Sequence, residues 1–131
     1  MGYVHRFNIK AVSILNEILD KTNAEIIISS DWKLHYKFED LKEIFTEFAH
    51  IKKAPIDITP CLPYSNTRLL EENRAKEILA HVDKIKPYFW VAVDDFDLKT
   101  WIPEKHFVHL TRFMEGIKQT GKKEEIINKL I

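Results

Sequence analysis

Residues 24–33, Ala-Glu-Ile-Ile-Ile-Ser-Ser-Asp-Trp-Lys, begin as a β-branched run and end abruptly in hydroxyls and charge. A short continuous apolar run predicts a strand buried on both faces, as in a parallel sheet, over residues 25–30. Residues 88–93, Tyr-Phe-Trp-Val-Ala-Val, form a second such run and pass straight into Asp94-Asp95. In open α/β sheets, functional groups gather beyond the carboxyl ends of the strands, where both runs turn polar.

The segments around these runs alternate between helix and strand. Ile9, Val12, Leu15, Ile18 and Leu19 fall on one stripe and predict a helix over 8–22. Leu41, Ile44, Phe45 and Phe48 predict another near 38–50, and Ala75, Ile78, Leu79 and Val82 a third over 71–84. Residues 56–59, stopped by Pro60, and residues 107–110 read as short strands. Residues 60–70 read as a loop, and Ile126, Ile127 and Leu130 mark a closing helix at 122–131. This order predicts an α/β fold, a parallel sheet flanked by helices.

Length and composition bound the rest. A chain of 131 residues, 45% apolar and 31% charged, suits one domain spanning 1–131. Twenty Lys+Arg balance twenty Asp+Glu, which gives no bulk pull toward nucleic acid or membrane. No apolar run approaches the roughly 20 residues of a membrane span, and no signal core follows Met1. The single cysteine, Cys61, cannot form an internal disulfide and reads as a packing residue. The expectation is a soluble cytoplasmic protein. No Gly-rich phosphate loop is present. The six histidines form no convincing metal set, His106 and His109 included, because their segment reads as strand or loop. Trp32, Trp90 and Trp101 read as core or cleft-wall residues.

Three groups could carry chemistry, each with a plainer reading beside it. In Ser29-Ser30-Asp31, hydroxyls and free N–H groups at a strand end can hold a phosphate oxygen, or can simply cap a helix. Asp94 and Asp95 repel each other and cost desolvation energy at the end of an apolar strand. Magnesium would relieve both; otherwise one caps a turn and the other faces water. Arg74, with Arg68 as the alternative, could neutralise a phosphoryl group, or could be a solvated surface residue.

The ordered set of elements resembles the haloacid dehalogenase superfamily, and more narrowly a subgroup associated with nucleic-acid repair enzymes. The carriers are Leu15-Asn16-Glu17-Ile18, Thr22-Asn23-Ala24, Ser29-Ser30-Asp31-Trp32-Lys33, Ile58-Thr59-Pro60, Arg74-Ala75-Lys76-Glu77-Ile78 and Val93-Asp94-Asp95. They cover roughly residues 7–120. The resemblance implies a three-layer Rossmann-like fold and magnesium-dependent phosphoryl transfer through an aspartate. It implies that Ser29, with Ser30, binds the phosphoryl group and that Arg74 stabilises its charge. Asp94 and Asp95 would hold Mg2+, Asp95 counting among the catalytic residues.

The sequence departs from that pattern at one place. The family's first strand ends in an Asp-x-Asp nucleophile motif, and residues 1–7 contain no acid. The strand in question lies centrally, between the one ending at Ser29 and the one ending at Asp94. Without it the chain must re-pair its strands, recruit one from a homodimer mate or partner chain, or expose edges. Asp95-Phe96-Asp97 is also an Asp-x-Asp, but no Gly-Val/Thr follows it, and the flanking elements fit the usual order without rearrangement. The expected function is a phosphatase-type domain, inactive as this chain because the nucleophile is absent. The alternatives are a non-catalytic domain that binds a phospholigand or a protein, and an α/β interaction domain with coincidental motifs. The expected ligand is a phosphorylated small molecule or a polynucleotide end. The 31–70 segment is too short for a large lid, which leaves an open site.

Overall fold

The structure is a computed structural model and describes residues 8–30, 32–62, 69–111 and 115–131. Helix α1 (Ile9–Thr22) starts where the Asn8 side chain accepts from the Ala11 N–H, and ends at Asn23 in the left-handed conformation. Then come β1 (Ile27–Ile28), the single turn α2 (Trp32–His35) and α3 (Phe38–Glu43). α3 continues as a wider π turn over Ile44–Phe48, in which the Ala49 N–H reaches the Ile44 carbonyl at 3.0 Å. β2 (Asp57–Ile58) and the long α4 (Leu70–Ile85) precede β3 (Ala92–Asp94), β4 (Phe107–His109) and α5 (Lys122–Leu130).

Both strand pairings are parallel. β1 pairs with β2, Ile27 opposite Asp57, and β3 with β4, Asp94 opposite His109. Among the described residues these are two separate two-stranded sheets, so β1 and β3 each pair on one side only and do not pair with each other. The sequence reading expects a parallel sheet that lacks its central strand and leaves its strands to re-pair, borrow a neighbour or expose edges. The α/β class and the parallel sense hold.

The second strand is shorter and later than residues 88–93 predicted. Tyr88 and Phe89 are exposed, and pairing starts only at Ala92. Just upstream a side chain replaces the ladder: His106 Nδ1 lies 2.9 Å from the Trp90 carbonyl, and its ring stacks on Trp90. Ile9, placed on the buried stripe of α1, is 88% exposed, because the first turn of the helix runs past the core. Cys61, read as a packing residue, is exposed.

Neighbouring residues of β4 bury on opposite sides. Phe107 joins Ala75 and Ile78 of α4, Ala92, Leu98 and Ile102. Val108 joins Ile18 of α1 and Ile126 of α5. The alternation of side chains along a strand thus puts helices on both faces of the β3–β4 pair. α1 turns its other side, Leu19 with Val12 and Leu15, to Ala49, Ile51 and Ile26 beside β1. α1 therefore spans both strand pairs. No described helix is long and apolar enough to cross a membrane.

Candidate functional site

The site is built around the amino-terminal half of α4, which the apolar spacing of Ala75 and Ile78 seats against β3 and β4. That seating carries Arg74 to the carboxyl end of β3, where its Nη1 donates to Asp94 Oδ2 at 2.6 Å. Both side chains are largely buried, and the guanidinium lies 4.4 Å from the centre of the Phe96 ring. A buried, charge-assisted pair is not what a solvated surface arginine makes. Asp94 Oδ1 accepts the Phe96 N–H at 3.0 Å, so Asp94 also caps its turn, and Asp95 beside it is exposed.

Burial pushes the Asp94 carboxyl above its ordinary range. The Phe96 N–H and Arg74 offset part of the shift, and the neighbouring Asp95 carboxyl adds to it. The turn is also held from β4. The Leu110 N–H donates to the Asp94 carbonyl at 2.9 Å, and His109 Nε2 pairs with the Asp95 carbonyl at 3.0 Å. Asp97 lies outside this cluster; the Lys99 N–H binds its carboxyl and draws its pKa down.

The donor chemistry of Asp94 and Asp95 suits a hard cation, which takes oxygen ligands and is commonly held by one or two carboxylates plus waters and a phosphate. Among the described residues Asp94 Oδ2 accepts from Arg74 and Oδ1 from the Phe96 N–H, and a carboxylate oxygen can accept more than one donor. Among the described residues no third His, Cys, Asp or Glu completes a metal cluster. A cation here would depend on water, on the ligand, or on a further carboxylate.

Ser29 and Ser30 stand half-buried just past β1. Among the described residues no hydrogen bond joins them to Arg74, Asp94 or Asp95. Asp31 and Arg68 lie outside the described residues. β1 and α4 are tied through Lys33, which the sequence reading left without a role. Its side chain is 3% exposed, and its Nζ donates to Thr59 Oγ1 at 2.7 Å, to the Pro60 carbonyl at 3.2 Å and to Glu77 Oε1 at 2.7 Å. Glu77 Oε2 accepts the Leu62 N–H at 3.1 Å. Glu77 and Arg74 are three residues apart, hence neighbours on the helix surface. One helix end thus grips the carboxyl ends of both strand pairs. Lys33, Thr59 and Glu77 lie in three separate short elements of the sequence, and nothing in their spacing joins them.

The family described as the HAD domain in Swiss Army Knife RNA repair proteins matches residues 2–120. No curated protein and no solved structure matches the chain significantly.

Proposed function

The chain belongs to the family of HAD domains in Swiss Army Knife RNA repair proteins, and from that membership we propose that it is a phosphohydrolase-type domain carrying the phosphate side and the magnesium side of a phosphoryl-transfer site. The observation that carries this reading is the buried Arg74–Asp94 pair at the carboxyl end of a parallel strand, with Asp95 exposed beside it. Arg74 would neutralise a bound phosphoryl group, and the hydroxyls and N–H groups at Ser29 and Ser30 would hold its oxygens. Asp94 and Asp95 would hold Mg2+, which when bound offsets charge on the phosphoryl oxygens. As the phosphoryl group draws Arg74 toward itself, Asp94 is freed to take another partner.

The family's nucleophile motif, Asp-x-Asp, does not occur ahead of α1 in residues 1–8. We take it to enter on a strand between β1 and β3, completing a three-layer sheet. Two features support that. β1 and β3 each pair on one side only among the described residues. Val93 on β3 is 36% exposed while its register partner Val108 on β4 is fully buried, so the covering layer runs out on the β3 side. The strand would come from a segment outside these 131 residues, since a second copy carries no such motif either. The family's RNA-repair setting favours a phosphorylated polynucleotide end over a small phosphomonoester. The free thiol of Cys61 suits a reducing, cytoplasmic setting.

The absence of the Asp-x-Asp favours a second reading, a non-catalytic phospholigand-binding domain. Release of phosphate from a small phosphomonoester and from a 5′- or 3′-phosphorylated oligonucleotide, with and without MgCl2, separates the two. Magnesium-dependent turnover that disappears in Asp95→Ala establishes the hydrolase. Saturable phosphate binding without turnover, even when a strand bearing Asp-x-Asp is supplied, establishes the binding domain. Neither binding nor turnover rejects both.

A further inference from the structure

Three polar residues at successive turns of α4, Asn73, Glu77 and His81, share one stripe of the helix, and the last two meet the β1–β2 side. His81 is buried, with Nε2 3.8 Å from Asp57 Oδ2 on β2. One turn earlier, Glu77 meets Lys33 and through it Thr59, just past β2. The two elements climb in step: four helical residues rise about 6 Å, and Asp57 to Thr59 spans about 6.6 Å of extended chain. Helical rise puts Asn73 about 6 Å further along α4 than Glu77, next to Arg74 in the chain.

Asn73 is 9% exposed, and among the described residues its side-chain nitrogen has no hydrogen-bond partner. The other polar groups gathered here, those of Arg74, Lys33, Glu77 and Asp94, are all engaged. Native folds seldom leave a buried amide donor unanswered, and each such group calls for an explanation. Helix capping does not supply one, because Asn73 is already inside α4 and its backbone N–H bonds the Leu69 carbonyl.

We infer that Asn73 is a further substrate-binding residue, its amide N–H donating to an oxygen of the phosphorylated ligand whose charge Arg74 neutralises. The assignment rests on the phosphoryl-transfer reading above. It adds a neutral donor to the site, one that reads an acceptor oxygen without adding charge.

The test is calorimetric titration of the whole chain with inorganic phosphate in MgCl2, for the parent, Asn73→Leu and Asn73→Asp, alongside thermal unfolding without phosphate. Asn73→Leu removes an unanswered amide at nearly constant volume, so its unfolding midpoint stays level or rises. Its phosphate affinity falls about 10- to 100-fold, the loss of one hydrogen bond to a charged oxygen. Asn73→Asp, which puts a like charge against the ligand, also weakens binding. Parent affinity in either variant overturns the assignment. So does a lowered midpoint in Asn73→Leu, since the amide would then be satisfied within the fold. A parent chain that takes up no phosphate removes both the assignment and the reading beneath it. Uptake by the parent with undiminished uptake by Asn73→Leu removes the assignment alone.

Discussion

Asp94 is held between two demands. Burial favours its neutral form, and Arg74 favours its charge. The pair is affordable only as a pair. Arg74→Met leaves a carboxylate buried without its cation and is expected to destabilise the chain by about 3–5 kcal/mol in urea unfolding. Adding Asp94→Asn to that background should recover part of the loss, because the stranded charge goes with it. Additive losses in the double variant would mean that the two side chains contribute independently, against the 2.6 Å contact. The meeting of Arg74 with the end of β3 at Asp94 could be read from sequence, because each lies next to a strand or helix whose apolar pattern fixes its place. Lys33 offers no such reading. Its partners come from residues 59, 60 and 77, and no spacing rule brings a loop, a strand end and a helix together. Asn73 was equally silent, since an unanswered amide is visible only once its surroundings are folded.

Elements here are joined by polar contacts at defined ends. The Lys33–Glu77 pair ties α2 and the loop after β2 to α4. Lys33→Met should cost about 3–5 kcal/mol, the penalty for a buried carboxylate left unpaired. Thr59→Val should cost only about 1 kcal/mol, one hydrogen bond among three. Equal losses from the two would argue that Lys33 matters through packing alone. α1 and α5 are joined by Lys123 and Glu17, 2.6 Å apart. The lysine's hydrogen bond draws the Glu17 carboxyl below its ordinary value of 4.5. A carboxyl depressed in the folded state lends stability above its unfolded pKa and loses it as pH falls through the folded one. The parent should therefore exceed Lys123→Met in stability at pH 7, and the gap should close as pH falls below the ordinary carboxylate range. A gap unchanged with pH would assign the difference to the lysine stem. The helices were readable because their stripes repeat over three or four turns. The 88–93 run misled by position: its first two aromatics face solvent, and His106 takes the carbonyl a ladder would have used.

At the scale of the molecule, the two parallel strand pairs among the described residues are bridged by α1 and gripped at their carboxyl ends by α4, and within those residues β1 and β3 each keep an unpaired edge. Exposed edges of this kind invite a further strand. In solution the chain is expected to associate with itself, and sedimentation velocity should show a species heavier than the 15.5 kDa monomer. A single stable monomer would point to a partner segment instead of a second copy. The claim on which all of this depends is that Ser29, Arg74, Asp94 and Asp95 form one phosphate-binding and magnesium-binding surface. The most direct measurement is a 1H–15N NMR titration of the whole chain with MgCl2 and then inorganic phosphate. Saturable shifts confined to the amides of Ser29, Ser30, Arg74, Asp94 and Asp95, absent in Asp94→Ala, are the predicted result. No shifts, or shifts spread over surface lysines and unchanged in Asp94→Ala, would contradict it.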